Sequence, residues 1–452
     1  MKQSRFNLWV KDYPDPGYSL VYNARTQALF KIDPGLCRAL TDLNSGKRTE
    51  TDPALSRYVP ALLSNGIIVE TDELEQEKID NFFQEMQSGA SSLPFEVTLL
   101  TTYSCNFRCP YCFEGSVKEC VFLNKETSSR IISWIRHKTL ELGFKKLFLV
   151  FYGGEPLLHP GPIYDISSRL KKWAGEQGIE FKFGIITNGS LLTPELVDRL
   201  KPLGLEEVRT SLDGTREAHN KKRPFADGAP TFDLILENIK AVIDKIPVGL
   251  TGCFDRENLD SIIPLIDFLE KEGLLHKFSR IDFSPLAPRL GEKDRPGKIE
   301  LGNCLSFFDN KGLSREILEI KKELLRRKVC KSVDLAVNAC SLIMEKGGVA
   351  IDPYGDIYKC NALIGYKEFS VGNVREPAFN ERFRDFLKIK AWEQCPQDCP
   401  YLLLCQGGCR LFSYLEQNCF DRKSCKKEYL DNIVPELIKL EYQRLAQKAE
   451  QE

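Results

Sequence analysis

Three cysteines constrain this chain more than any other feature: Cys105, Cys109 and Cys112, spaced Cys-x3-Cys-x2-Cys within residues 101–115. The apolar run Phe95-Glu-Val-Thr-Leu-Leu100 directly precedes them and has the character of a strand, so they sit on a loop at a strand's C-terminal end. Three thiolates on one short loop can hold three irons of a cubane 4Fe–4S cluster and leave the fourth iron without a protein ligand. An open iron binds a substrate or cosubstrate, whereas a fully ligated cluster more naturally only passes electrons. The plainer alternative is structural zinc. That metal wants four protein ligands, usually as paired Cys-x2-Cys units, and only Cys120 lies near enough, with nothing to pair with it.

From Phe95 to about Leu286 the pattern is repeated βα. Strand-like runs fall at 95–101, 146–152, 180–186, 206–211, 247–253 and 279–285, with helical patterns at 126–142, 163–174, 194–200, 232–243 and 259–271 between them. Six βα units imply α/β architecture with a parallel sheet curved into a partial TIM-like (β/α)6 barrel. Ligands of such sheets sit at the C-terminal ends of the strands, and the polar motifs fall there. Tyr152-Gly153-Gly154-Glu155-Pro156 follows the second strand and Thr187-Asn188-Gly189 the third. Ser211-Leu-Asp213-Gly214 follows the fourth, with His219, Arg223 and Gly228 beyond it. Two glycines let the backbone approach a ligand closely, and a carboxylate follows.

The cysteine spacing, with Tyr111 before the last cysteine, resembles the signature of the radical S-adenosylmethionine (radical SAM) superfamily. The resemblance implies that SAM chelates the open iron and is split to a 5′-deoxyadenosyl radical that abstracts a hydrogen atom. It also implies that Tyr111, Gly153, Gly154, Glu155, Asn188, Ser211, Asp213 and Arg223 surround SAM. No residue is singled out as an acid, base or nucleophile.

A second cysteine-rich region starts at Cys340. It continues with Gly355-Asp-Ile-Tyr-Lys-Cys360, then Cys395-x3-Cys399-x5-Cys405-x3-Cys409, and ends at Cys425. This resembles the SPASM domain, an extension with two auxiliary 4Fe–4S clusters, although the family has two residues where this chain has three between Cys395 and Cys399. The resemblance implies that Cys340, Cys360 and Cys409 hold the first auxiliary cluster, and Cys395, Cys399, Cys405 and Cys425 the second. Cys419 is a weaker competitor for the place of Cys425. The first set lacks a fourth cysteine: either Cys330 fills it, or a residue such as Asp334 does, or one iron is open. On spacing alone, two zinc knuckles are the alternative. Cys37, Cys120, Cys253 and Cys304 receive no role.

Residues 1–70 read as a small separate module with short strands near 6–10, 18–22 and 28–32. Two helices follow, carrying Leu36, Leu40 and Leu43, then Leu55, Val59 and Leu63. The order resembles the PqqD-like winged-helix domain that grips leader peptides; the alternative is a stabilising extension. The expected organisation is this module at 1–70, a linker helix at 71–92, the radical SAM barrel at 93–290, a bridge at 291–336, the SPASM domain at 337–430 and a terminal helix at 431–452.

A formal net charge of −1 offers nothing to nucleic acid or an anionic membrane, and no apolar run approaches a membrane span. The N-terminus lacks a secretory signal, and sixteen cysteines in clusters point to metal in a reducing, cytoplasmic compartment. The resemblance over 95–430 implies an oxygen-sensitive oxidoreductase that matures a ribosomally synthesised peptide (RiPP). It would hold three 4Fe–4S clusters and SAM, bind a precursor peptide by its leader, and be reduced by a flavodoxin- or ferredoxin-type donor. A thioether or C–C crosslink loses two electrons, and an auxiliary cluster can take the one that does not leave with the hydrogen atom. An anaerobic sulfatase-maturating enzyme is the rival. Those enzymes carry Asp directly after the Cys360 equivalent, where this chain has Asn361, which cannot take a proton. A non-catalytic iron–sulfur electron carrier is the rival from another class.

Overall fold

A computed structural model describes residues 1–47, 53–89, 93–112, 114, 120–287, 290, 310–330, 333, 335 and 339–450. The chain forms two compact units. One comprises Met1–Met86, Phe307–Cys340 and Ile389–Glu452, the other Gln87–Ser306 and Ser341–Lys388. This grouping differs from the linear segments expected from sequence: residues 337–430 are shared between both units, and residues 1–70 belong with C-terminal segments.

The first strands in chain order belong to the first unit. They are β1 (Lys2–Gln3), β2 (Asn7–Lys11), β3 (Ser19–Asn23), β4 (Leu29–Ile32) and β5 (Ile68–Val69). β2, β3 and β4 form an antiparallel meander, and β1 pairs with β5. Alternation gives the meander two apolar faces. Trp9, Val21 and Phe30 lie in register and join Leu36, Leu40, Leu43, Leu55 and Leu62 of the following helices in one cluster. The intervening Leu8, Val10, Leu20 and Tyr22 are also buried, and the terminal helix Lys427–Ala449 packs on β2 and β3. Tyr22 Oη donates to Leu335 O at 2.7 Å, and the Tyr13 ring meets Tyr442 edge-on at 6.1 Å. The module is thus built into its unit. Residues 72–88 form the expected helix, with Ile79, Phe83 and Met86 buried. Phe83 stacks on Trp392 with centroids 4.6 Å apart, so this helix is packed structure on its inner face.

The second unit contains the barrel sheet: β6 (Phe95–Leu100), β7 (Lys146–Tyr152), β8 (Glu180–Ile186), β9 (Leu205–Ser211), β10 (Val248–Phe254) and β11 (Arg280–Pro285). They are parallel neighbours in chain order. Strands such as Lys-Leu-Phe-Leu-Val-Phe-Tyr in β7 are apolar along most of their length because parallel strands are covered on both faces. The crossover helices include Lys125–Glu141, Gly161–Glu176, Pro194–Leu200, Arg216–Lys222, Phe232–Val242 and Ile262–Lys271. Asn124 and Thr193 cap two of them by accepting from Thr127 N and Leu196 N. Strand and helix bounds agree with the sequence pattern within a few residues. Three further strands were not expected: β12 (Val349–Ile351), β13 (Asp356–Tyr358) and β14 (Gly372–Asn373). β12 pairs in parallel with β6, and β13 and β14 continue the sheet antiparallel. Residues this short and turn-rich carry too few alternations to be read as strands alone.

Candidate active site

The loop after β6 carries Cys105, Cys109 and Cys112, and backbone contacts fix it on two sides. Arg108 N donates to Pro224 O at 2.9 Å and Ala226 N to Asn106 O at 2.8 Å, while the Phe107 and Phe225 rings meet edge-on at 5.1 Å. On the other side lies the glycine pair after β7. A Cβ on Gly153 (φ +122°) would stand 2.3 Å from Thr102 O, and one on Gly154 would stand 2.2 Å from Ser104 O. Gly154 N donates to Thr102 O and Glu155 N to Ser104 O, both at 2.9 Å. Both residues are glycine because the two loops touch backbone to backbone.

Glu155 is fully buried, and its carboxylate accepts from Thr187 Oγ1 and Asn188 N at 2.7 Å and from Leu157 N at 2.9 Å. Burial raises its pKa, and the three donors oppose that rise. Its side chain thus holds the loop after β8. Asn188 on that loop donates to Asn106 Oδ1 at 2.8 Å and lies 3.9 Å from Cys105 Sγ, which also accepts from Phe107 N at 3.3 Å. Ser190 Oγ, which accepts from Asn106 Nδ2, closes this small ring by donating to Asn188 Oδ1 at 2.7 Å.

Tyr111, Asp213 and Arg223 come together beside the cysteine loop. Tyr111 Oη donates to Asp213 Oδ2, and Arg223 Nη1 donates to Tyr111 Oη at 2.8 Å and lies 3.7 Å from Asp213 Oδ2. Arg223 Nε is buried without a partner. Burial opposes the guanidinium charge, but Tyr111, Asp213, Cys109 and Cys253 outweigh it and hold the pKa well above the ordinary value. Behind the triad, Asp213 N donates to His219 Nδ1 at 3.1 Å, so the proton is on Nε2, which lies 3.1 Å from Thr231 Oγ1. Thr231 Oγ1 then donates to Arg223 O at 2.7 Å. Burial, with Arg223 nearby, lowers the His219 pKa to about 3, so the imidazole is neutral. Ser211 Oγ lies 3.0 Å from Thr251 Oγ1. Cys253 N donates to Asp213 Oδ1 at 2.9 Å and Asn258 Nδ2 to Asp213 O at 2.8 Å; these two, with Thr231, Asn106 and Phe225, support the site without a sequence signal.

In the first unit, Cys395, Cys399, Cys405 and Cys425 lie within electrostatic reach of one another; burial raises the pKa of Cys395 and Cys405. The turn Cys405–Cys409 is zipped to the last loop: Ser424 N donates to Gly407 O at 2.8 Å, and a Gly408 Cβ would stand 2.1 Å from Ser424 O. Cys419 is influenced instead by Asp421 and Arg422. Cys340 and Cys409 adjoin Arg410. Cys330 has Arg444 of the terminal helix as a charged neighbour. Cys360 belongs to the other unit, and Cys304 and Asp334 lie outside the described residues.

Among the described residues, no three Cys, His, Asp or Glu side chains stand together as ligands of one metal ion. The surroundings of three of the sulfurs suit anionic thiolates: Cys105 Sγ faces N–H donors, Cys109 has Arg223 nearby, and Arg410 is buried beside Cys409. Donors and cations of this kind surround iron–sulfur ligands, so the residues fit such a group.

Residues 99–269 match the radical SAM superfamily profile. The chain is 27% identical over 343 residues to the Fe-coproporphyrin III synthase of Methanosarcina barkeri, covering 69% of this chain and 82% of that protein. It is 24% identical over 369 residues to a cysteine-type anaerobic sulfatase-maturating enzyme of Clostridium perfringens, covering 74% and 94%. The structure of Streptococcus suis SuiB bound to precursor peptide SuiA superposes with a TM-score of 0.54 at 14% identity, covering 94% of this chain and 99% of that one. The three-cysteine loop at the C-terminal end of the parallel strands and the matching profile identify a radical SAM domain at residues 99–269 of an enzyme.

Proposed function

We propose that the enzyme is a SPASM-type maturase that crosslinks a ribosomally synthesised precursor peptide through a thioether or a C–C bond. The observation that carries this reading is the presence of two separate thiol groups. One is locked onto the barrel's C-terminal end, and the other joins Cys395, Cys399, Cys405 and Cys425. When bound, a 4Fe–4S cluster at Cys105, Cys109 and Cys112, together with SAM, supplies a 5′-deoxyadenosyl radical that takes a hydrogen from a Cα or Cβ of the substrate. Glu155 and the two glycines fix the loops around that site, and the Tyr111–Asp213–Arg223 triad sets a buried, charge-paired guanidinium at its edge. The second group would hold an auxiliary cluster able to take the remaining electron. Cys340, Cys360 and Cys409 would hold a third cluster. An open position for a substrate cysteine is the preferred reading of the missing ligand, with Cys330 as the alternative.

The alignment with SuiB, a protein solved with its precursor peptide, runs through the N-terminal module and supports leader binding there. β4 is an edge strand of that module and offers unpaired backbone to a peptide. A flavodoxin- or ferredoxin-type donor and a cytoplasmic location complete the reading. No helix among the described residues is long and apolar enough to cross a membrane.

Formylglycine formation is the second reading, favoured by the sulfatase-maturating relative. Asn361, which opens the turn after Cys360, offers no base to serve it.

The test is anaerobic reconstitution with dithionite and SAM. Release of 5′-deoxyadenosine is expected, and a Cys-containing precursor should lose two hydrogens and, for a thioether, one alkylatable thiol. An aldehyde trapped on a sulfatase peptide, with no crosslink on the precursor, overturns the proposal in favour of the second reading.

A further inference from the structure

The C-terminal cysteine group encloses a guanidinium whose hydrogen-bond acceptors are backbone carbonyls. Arg410 directly follows Cys409, is 1% exposed, and heads the fully buried side chains by volume. Its guanidinium donates to Gly407 O at 2.5 Å, Gly408 O at 2.8 Å, Phe420 O at 2.9 Å and Arg422 O at 2.8 Å, and its Nε to Gly408 O at 3.2 Å. Every one of these acceptors is a neutral carbonyl. They lie on two segments: the turn between Cys405 and Cys409, and the stretch leading to Cys425. Lys426, directly after Cys425, is a second cation in the same place, with its ammonium 4.7 Å from the Phe412 ring centroid.

A guanidinium removed from water is costly unless an anion lies near it. The nearest groups able to answer it are the sulfurs of Cys340, Cys409, Cys405 and Cys395, in that order. An iron–sulfur cluster ligated by cysteines is itself an anion.

We infer that Arg410, assisted by Lys426, is a counter-charge of the C-terminal cysteine group: it positions the two cysteine-bearing segments and raises the reduction potential of an auxiliary cluster held beside it. The inference rests on the auxiliary-cluster reading above. Reduction adds one negative charge to such a cluster, and fixed positive charge in a poorly hydrated setting stabilises that state. The site is thereby biased to accept an electron. As the substrate's carbon radical bonds to a thiol sulfur, the S–H proton leaves to water and one electron passes to the oxidised cluster, which balances the step.

The experiment uses the full-length chain with Cys105, Cys109 and Cys112 changed to Ala, so that only the C-terminal sites report. Iron content and EPR-monitored midpoint potentials are measured after anaerobic reconstitution. Arg410→Gln is expected to shift a midpoint negative by about 59 mV, a tenfold change in the one-electron equilibrium. Arg410→Lys keeps the charge without the planar fork; it is expected to preserve the midpoint while lowering iron retention. An unchanged midpoint in an iron-replete Arg410→Gln protein overturns the inference. If that variant does not retain iron, Lys426→Gln is read the same way, and an unshifted midpoint there overturns it. A parent protein that takes up zinc and no iron removes the auxiliary-cluster reading and the inference with it. An iron-loaded site indifferent to charge removes the inference alone.

Discussion

Gly154→Ala places a single methyl group against fixed backbone. The new Cβ would lie 2.2 Å from Ser104 O, 2.5 Å from Ser104 C and 2.6 Å from Tyr103 O. No side chain can rotate away, so the loop after β7 must separate from the cysteine loop. Overpacking of this kind costs about 1–3 kcal/mol. Separation also strains the bonds Gly154 N to Thr102 O and Glu155 N to Ser104 O, each worth about 1 kcal/mol. A total loss of about 3–5 kcal/mol is expected in the barrel unit. Thermal unfolding of the metal-free protein measures it, with iron content and 5′-deoxyadenosine release recorded on reconstituted protein. Gly175→Ala is the control: it lies in the helix Gly161–Glu176 with nothing within 4 Å of its Cβ position, and should be neutral or stabilising by up to about 1 kcal/mol. The expected pattern for Gly154→Ala is a lower Tm, loss of SAM cleavage and retention of iron at the C-terminal cysteines. Equal stability and equal SAM cleavage for the two variants would refute the backbone-contact reasoning.

Glu155→Gln replaces one acceptor oxygen by a donor facing buried N–H and O–H groups, and a loss of about 1–3 kcal/mol is expected in denaturant unfolding. His219 is neutral in the fold with a pKa of about 3, against about 6.5 when unfolded. Between those values the unfolded chain binds the extra proton, so this group's contribution to stability falls as pH drops from about 6.5 towards 3, by at most about 1.4 kcal/mol per pH unit. The slope should be shallower in His219→Asn, measured by urea unfolding across that range. Changing Cys105, Cys109 and Cys112 together to Ala should abolish SAM cleavage yet leave iron at the C-terminal sites, checked by metal analysis. Removing residues 1–70 uncovers the terminal-helix face that packs on β2 and β3, so hydrogen exchange along Lys427–Ala449 should rise as precursor binding falls.

Much of the barrel was legible because its signals are local. Apolar runs of strand length alternate with helical periodicity, and every strand from β6 to β11 falls within a residue or two of such a run. The cysteine loop announces itself by spacing, and four loop motifs share the C-terminal strand ends because parallel βα topology sends them there. Tertiary structure alone decided what those motifs touch. Gly153 and Gly154 looked like residues freeing space for a ligand; the space at their Cβ positions is taken by the Thr102 and Ser104 carbonyls. Glu155 turns inward onto the Asn188 loop, and His219 joins Asp213 to Thr231 and, through it, to Arg223. β12 found its place beside β6 across more than two hundred residues, and the meander β2–β4 found its second apolar partner in the terminal helix. Cys425 came within electrostatic reach of Cys395, Cys399 and Cys405, while Cys419 met Asp421. Periodicity and spacing record what each segment must do to bury its own apolar face or gather its own ligands. Which distant backbone or charge completes the arrangement depends on chain closure over long separations, and that is settled only when the whole fold packs.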